Sequence, residues 1–472
     1  MLEDVVSYVE SNRSLFIDIS MRIWEYAELG LQEFKSSKLL SDTLEAAGFH
    51  VRRGVSDMPT AFVASWGEGR PIIGIMGEFD ALPGLSQKPV PWREPLKPGA
   101  PGHGCGHNIH GASGLAAAMT VKKVMEDRGI RGTIRFYGTP AEENFSGKVF
   151  MVRDGLFDDV DAVISHHPAD MNAVTLMSSL AVKSARFHFY GVASHAAASP
   201  EEGRSALDGV ELMNVGVNYL REHIIQEARI HYVIEKGGEQ PNVVPDYARS
   251  WYYVRAPEVD QLEQIYSRVL DIARGAALMS GTEVREELID AIYNVIPNRP
   301  ISERIVDNMR AIGVPPLSEE ARKFAEEIAK TIPKEVKENQ LRKSKRPGWE
   351  RLLDKLVDDE VPDPWGEGEY MQGSTDVGDV SWKTPTVEFS TAAWVLGTPF
   401  HSWQSTAQSG SPLGHRSLLY AAKVMALTAL DLMTDEDLLA KAKEDHERRL
   451  RGRKYKPLIP PDHKPPVNFW EQ

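Results

Sequence analysis

The sequence predicts an α/β protein that is interrupted by a smaller α+β module. Before residue 181, short apolar segments alternate with helical segments, which indicates a sheet covered by helices. After residue 181 the strands become half-polar. Their order of strand, helix, strand, strand and helix over roughly 110 residues is typical of a compact α+β unit. From about residue 296 the chain returns to helical patterns.

In the first part, the apolar spacing of residues 1–50 suits helices better than strands. The segment 72–76 is almost continuously apolar, as expected of a buried strand. Gly and Pro residues mark loops after it, including a long one at 86–102. The Ala-rich segment 111–125 is a predicted helix. The predicted strands of this part are 62–66, 72–76, 133–137 and 162–165.

The second part alternates in polarity, as half-exposed strands do. Its predicted elements are strand 183–190, helix 206–225, strands 228–235 and 247–255, and helix 259–279. Further on, the basic and polar stretch 333–350 predicts an exposed loop. The proline-rich C-terminus predicts an extended tail that cannot be helical, and no catalytic role is assigned to it.

Composition excludes several classes of protein. The 472 residues suggest two or three domains. With 54 Lys and Arg against 68 Asp and Glu, the net charge of −14 argues against a general nucleic-acid binder. A single cysteine excludes a disulfide within the chain. The acidic N-terminus does not resemble a signal peptide, and no apolar run is long enough to span a membrane, so a cytoplasmic protein is expected.

Two short loops contain residues that suit metal chemistry. Cys105 and His107, in the Gly-rich segment 102–110, place a thiolate and an imidazole where both can reach one divalent ion. An inert Gly-rich turn is an equally good interpretation of this segment alone. Glu142 and Glu143 follow the strand at 133–137. Adjacent carboxylates usually mark an exposed loop, but here one can bind a metal while the other accepts a proton from water.

Four further histidines, in three separate segments, extend this inventory. His166 and His167 end an apolar strand, His401 lies far downstream, and His195 lies between a strand and a helix of the inserted module. Taken alone, each is explained at least as well by a structural or exposed histidine as by a ligand or catalytic residue. Together with the cysteine and the glutamates, they provide enough groups for metal-assisted hydrolysis.

The ordered set of motifs resembles the dinuclear metal-dependent amidohydrolase and metallopeptidase family of aminoacylases, auxin-conjugate hydrolases and glutamate-releasing carboxypeptidases. It is most similar to the aminobenzoyl-glutamate hydrolase branch. The motifs span about residues 76–420 and read GEFDALPG, GHGCGHN, PAEE, SHHP, GVASHAAASP, PNVVPDYARSWYYVR, GSTDVGDVSW and GTPFHSW.

The resemblance implies a three-layer α/β catalytic domain with a mixed, mainly parallel sheet, interrupted by a ferredoxin-like α+β lid. The catalytic domain would comprise 1–180 and 296–472, the latter with an insertion and the tail. The lid would comprise 181–295 and form a homodimer, and a larger or heteromeric assembly stays open.

The resemblance also implies roles for individual residues. Cys105 would bridge two divalent metal ions, Mn²⁺ or Zn²⁺, and the other ligands would be His107, Glu143, His167 and His401. Glu142 would be the general base, and Asp80 would orient a ligand histidine. The lid would contribute His195 to the oxyanion site of the partner subunit. Asn242 and Arg255 would contact the substrate.

The implied activity is hydrolysis of the amide bond of N-acyl or N-aroyl amino acids, aminobenzoyl-glutamate above all. Two alternatives on the same scaffold are a hydrolytic deaminase of an aromatic amine and a dipeptidase. An alternative from another class is a non-catalytic partner subunit of a heteromeric hydrolase, against which the intact base and five ligands argue.

Overall fold

The computed structural model describes residues 1–471. Its strands are β1 (His50–Arg53), β2 (Phe62–Glu68), β3 (Ile72–Gly77), β4 (Gly132–Gly138), β5 (Ala162–Ala169), β6 (Ala181–Tyr190), β7 (Arg229–Lys236), β8 (Tyr247–Ala256), β9 (Glu283–Ile292) and β10 (Thr386–Ala392). Its helices before the second sheet are α1 (Leu2–Ser11), α2 (Arg13–Tyr26), α3 (Phe34–Ala46), α4 (His107–Arg128), α5 (Glu142–Phe145) and α6 (Gly147–Arg153). The later helices are α7 (Ala206–Leu220), α8 (Val259–Ser280), α9 (Arg299–Ile312), α10 (Glu319–Ala329), α11 (Lys334–Lys343), α12 (Val377–Lys383), α13 (Trp403–Ser409), α14 (Pro412–Thr434) and α15 (Glu436–Leu450).

The larger sheet has six strands in the order β1-β2-β4-β3-β5-β10. The pairs β4–β3, β3–β5 and β5–β10 are parallel, whereas β1–β2 and β2–β4 are antiparallel. Helices cover both faces. On strand β3, Ile75 packs into the core beneath α4 and α14, while Met76 packs toward α6 and α12 on the other side. The predicted three-layer fold with a mixed, mainly parallel sheet is therefore confirmed.

Contrary to the expectation that no apolar segment is long enough to span a membrane, helix α14 is long and apolar enough to do so by length and composition. In the folded chain 94% of its most apolar window is buried. It packs against α4, α9 and β5. Its apolar composition is therefore explained by its place in the core of the larger domain.

The smaller sheet contains residues 181–292 and has four antiparallel strands in the order β7-β8-β6-β9. Helices α7 and α8 cover one face of it, with Phe187 and Tyr252 among the buried side chains between the layers. This is the ferredoxin-like topology that the resemblance implies. The sequence pattern missed strand β9, because its N-terminal half is mostly charged and exposed, so it lacks the alternation of a half-buried strand.

The prediction of an exposed loop at 333–350 is wrong. Residues 334–343 form helix α11, and Leu341 is fully buried against Leu352 and Leu396. The basic side chain of Arg346 is also buried, where it pairs with Asp358. The average polarity of this segment is typical of a loop, but one buried leucine and one buried ion pair hold it against the protein.

Candidate active site

The functional side chains collect at the carboxyl ends of parallel strands, where α/β sheets commonly bind ligands. Glu78 and Asp80 follow β3, whereas Glu142 and Glu143 follow β4. His167 lies in the last part of β5. Because β4 and β5 are both parallel neighbours of β3 in the sheet, the ends of three separate segments meet at one edge.

A tight turn brings the cysteine loop to this edge. Gly106 has a φ of +77°, and a Cβ on it would lie 2.6 Å from Cγ of Pro168. Only glycine fits both the backbone conformation and the space. Helix α4 therefore begins at His107, four residues earlier than the sequence pattern predicts, and its first residue points into the site beside Cys105.

Hydrogen bonds decide which histidine nitrogens are free to bind a cation. Nδ1 of His107 is hydrogen-bonded to Oδ1 of Asp80 at 2.8 Å, which leaves Nε2 as the nitrogen that would face a cation. Nδ1 of His167 donates to its neighbour's carbonyl, Pro168 O, at 2.9 Å, and its Nε2 lies 3.4 Å from Sγ of Cys105. Both are the arrangement that a metal-binding histidine usually has.

Two sets of donor atoms share Cys105, and within each set the donor atoms lie within 4.8 Å of one another. The first set is formed by Cys105, His107 and His167. The second set is formed by Cys105, Glu143 and His401. In the second set, Nε2 of His401 lies 3.5 Å from Oε2 of Glu143. All five ligands that the sequence predicts are thus brought together, with Cys105 between the two sets.

Charge and hydrogen bonding fit cations at this place. Oε1 of Glu143 and Nε2 of His107 are buried and have no hydrogen-bond partner in the described part of the chain. Burial raises the pKa of Glu143 to about 7 and lowers that of His167 to about 4. Burial also raises the pKa of the Cys105 thiol well above its usual value. Soft sulfur, imidazole nitrogen and carboxylate oxygen together suit Zn²⁺ or Mn²⁺.

Glu142 lies beside these ligands without joining the sets that contain Cys105. Its carboxylate forms a separate group with Glu78 and His107. Burial, reinforced by the charges of Glu78 and Glu143, raises the pKa of Glu142 well above its usual value. A carboxylate that is close to the ligands and has a raised pKa suits a general base.

The sequence pattern missed a buried ion network behind the site. Nζ of Lys148, in α6, lies 2.5 Å from Oε1 of Glu78 and 2.6 Å from Oδ1 of Asp376, and the three side chains are at most 1% exposed. Lys148 thereby holds one oxygen of Glu78 and leaves the other, Oε2, 3.1 Å from Nε2 of His107. The sequence does contain one indication that Glu78 belongs to the site. It lies two residues before Asp80, and both residues follow the same buried strand.

Two other histidines near the site are committed to hydrogen bonds that disfavour metal binding. His110 accepts the backbone N–H of Glu78 at Nδ1, so its Nε2 carries a proton. This argues against a metal at the neighbouring group of Glu78, His110 and Glu388. His166 bonds to Ser113 through Nδ1 and to Thr391 through Nε2. The geometry thus favours His167 over His166 as the ligand.

The predicted substrate residues lie on the smaller sheet's domain and away from the ligand cluster. His195 and Asn242 are exposed neighbours, linked by a bond from Ala196 N to Asn242 O. Among the described residues, neither forms a side-chain hydrogen bond or ion pair with the cluster. Arg255 donates to Ser374 Oγ at 3.2 Å, two residues from Asp376, and therefore lies where the two domains meet.

Comparisons with known proteins show which proteins this chain is similar to. The family described as "Peptidase family M20/M25/M40" matches residues 74–352. A p-aminobenzoyl-glutamate hydrolase subunit of Escherichia coli is 41% identical over 96% of this chain and 96% of its own length. A mouse Xaa-Arg dipeptidase is 29% identical over 92% of this chain and 89% of its own length. A dinuclear metal binding peptidase of Bacillus subtilis superposes with a TM-score of 0.56 at 18% identity, covering 90% of this chain and 99% of that one.

Proposed function

The chain belongs to the peptidase family M20/M25/M40 and is an amidohydrolase. We propose that it hydrolyses the amide bond of N-acyl or N-aroyl amino acids. The observation that carries this proposal is the pair of donor sets that share Cys105, with Glu142 beside them. Aminobenzoyl-glutamate is the first candidate substrate, because of the identity of 41% over nearly the whole of both chains.

In this mechanism, Cys105, His107 and His167 would hold one divalent ion, and Cys105, Glu143 and His401 would hold the other. When bound, Mn²⁺ or Zn²⁺ ions would lower the pKa of a water molecule and polarise the substrate carbonyl. Glu142 removes a proton from the attacking water and passes it to the nitrogen of the leaving amine. Asp80 keeps His107 in the tautomer whose Nε2 is available as a ligand.

Substrate binding is assigned to the smaller domain. Arg255 is partly buried at the domain junction, and its Nε has no hydrogen-bond partner among the described residues. Its guanidinium suits the carboxylate of an acyl amino acid. Asn242 lies next to His195 and would contact the amide group. The boundaries 1–180, 181–295 and 296–472 are proposed for the interrupted catalytic domain and the lid.

A substrate panel tests the activity and its alternatives together. The purified chain, loaded with Mn²⁺ or Zn²⁺ and analysed for metal content, is expected to release the amine product from aminobenzoyl-glutamate and related acyl amino acids. Dipeptides and aromatic amines test the dipeptidase and deaminase alternatives. If the purified chain by itself binds two metal ions but hydrolyses none of these compounds, the alternative of a non-catalytic partner subunit is favoured. That control is necessary because the Escherichia coli relative is itself one subunit of a hydrolase.

A homodimer through the lid is supported by what the lid leaves uncovered. Strand β7 is an edge strand, with Val233 57% exposed on it. On the helices, Tyr219 is 67% and Leu278 is 85% exposed. An unpaired sheet edge and exposed apolar side chains are typical of surfaces that bind another chain. Residue His195 would then reach the site of the other subunit and stabilise the oxyanion.

Mixed dimers test the shared site. His195→Ala and Glu142→Gln are each expected to be inactive as pure dimers. When they are mixed and allowed to exchange subunits, hybrid dimers contain one site with an intact Glu142 and a partner's intact His195. Activity should recover to about a quarter of the wild-type value if subunits assort randomly. If hybrid dimers form but no activity returns, His195 does not act in the active site of the partner subunit.

A further inference from the structure

The C-terminal segment (451–471) is bound to the protein along much of its length. After α15 ends, Tyr455 donates a hydrogen bond to Oδ1 of Asp379 at 2.7 Å. The carbonyl of Lys456 accepts one from Tyr293 at 2.8 Å. Ile459 is 2% exposed in the core that faces α6 and α12. The segment therefore follows one course over the surface rather than extending into solvent.

The far end of this segment meets the turn that carries the proposed base. The ring of Phe469 packs edge-on against Phe145, with 4.9 Å between centroids. Trp470 packs edge-on against both rings, at 6.1 Å from Phe145 and 5.2 Å from Phe469. Phe145 is the last residue of α5, whose first two residues are Glu142 and Glu143. The three rings thus form an aromatic cluster at the last residue of the turn that carries the proposed base and one proposed ligand.

Helix α5 needs support from outside. It has four residues, and non-glycine residues with positive φ flank it, Ala141 at 60° and Ser146 at 51°. Such a turn is too short to be stable by itself. Left-handed backbone at two residues with side chains costs free energy and persists only where surrounding contacts hold it.

A second contact of the segment reaches the other side of the same turn. Nε1 of Trp470 donates to the carbonyl of Gly30 at 2.9 Å. The backbone of Gly30 lies so close to the turn that a Cβ on it would be 3.0 Å from Cα of Ala141. Trp470 therefore touches Phe145 directly and also holds the backbone on which Ala141 rests.

From these contacts we infer that Phe469 and Trp470 are positioning residues for the reaction, which act through Phe145 to hold Glu142 and Glu143 in place. The inference rests on the proposed function for the role of Glu142. Because a displacement of about 1 Å at a reacting group costs up to a hundredfold in rate, a modest loosening of α5 is enough to slow the reaction.

The test begins with four single variants of the full chain. Phe469→Ala and Trp470→Ala remove the ring contacts, and Phe469→Tyr keeps a ring in place. Lys464→Ala is the matched control, since it removes a tail ion pair with Asp57, and among the described residues no hydrogen bond or ion pair joins Lys464 to α5. For each variant, kcat, KM, the melting temperature and the dissociation constant for Mn²⁺ are measured, the last by competition with a chelator.

Phe469→Ala is expected to lower kcat by about tenfold or more, with KM nearly unchanged, and to weaken Mn²⁺ binding severalfold, because Glu143 lies on the same turn. Phe469→Tyr should restore both values, and Lys464→Ala should leave them at the wild-type level. In a double variant with Phe145→Leu, removal of Phe469 should have little further effect, because both residues act through one contact.

Three results would overturn the inference. Phe469→Ala and Trp470→Ala with wild-type kcat and wild-type Mn²⁺ affinity would make the contacts merely stabilising, even if the melting temperature falls. Equal losses in Lys464→Ala would indicate general destabilisation. Additive losses in the double variant would separate Phe469 from Phe145. A wild-type chain that hydrolyses no amide defeats the proposed function instead, and Mn²⁺ affinity then still tests the support of α5.

Discussion

Replacement of Glu142 by Gln is expected to lower kcat by at least about a hundredfold while both metal ions remain bound. The amide keeps the size of the carboxyl group but cannot take a proton from water. Glu142 does not belong to either donor set that contains Cys105, so its loss should leave the ligands in place. Metal analysis and steady-state kinetics on the same preparation check both halves of this expectation.

The neighbouring carboxylate provides the control for this variant. Glu143 belongs to the set with Cys105 and His401, so Glu143→Gln should lose metal as well as activity. The two substitutions are chemically identical and one residue apart in the sequence, so a difference in metal content separates the base from the ligand. If Glu142→Gln keeps near wild-type turnover, another group is the base. If it loses metal to the extent that Glu143→Gln does, Glu142 is a ligand.

Replacement of Cys105 by Ala is expected to reduce metal content more than loss of any other single proposed ligand, because Cys105 lies in both donor sets. Activity should fall with the metal content. Cys105→Asp, which keeps an anionic donor at the same position, should retain more metal than the alanine variant. Full occupancy by two metals in Cys105→Ala would remove this residue from the ligand set.

The single cysteine allows a second measurement on the unmodified protein. Any signal from a thiol reagent reports on Cys105 alone, since the chain has one cysteine. In the metal-free protein, burial raises the pKa of this thiol well above its usual value, which makes it slow to react. The reagent should therefore be used under mildly unfolding conditions. Saturating Mn²⁺ or Zn²⁺ should then protect the thiol, and equal reaction rates with and without metal would contradict its role as a ligand.

From the sequence alone come the α/β layers of the fold and, through the family resemblance, five predicted ligands. Buried strands such as 72–76 are readable because their apolar runs reflect burial on both faces, which is a local property of the chain. Glu143 and His167 can be predicted because they lie at or just after buried strands, whereas Cys105, His107 and His401 are predicted through the resemblance of their motifs to the family. The structure brings all five together around Cys105, although they are spread from residue 105 to residue 401.

Only the tertiary structure decided features that depend on distant partners. Lys148 and Asp376 are 228 residues apart, and their pairing with Glu78 requires α6 and the segment before α12 to meet beneath the site. The hydrogen bonds that occupy both ring nitrogens of His166 come from Ser113 and Thr391, on two other segments. The contact of Phe469 with Phe145 joins the end of the chain to the turn of the proposed base. Local patterning records burial and periodicity, but it carries no information on which buried groups become neighbours, since that is set by the packing of whole elements.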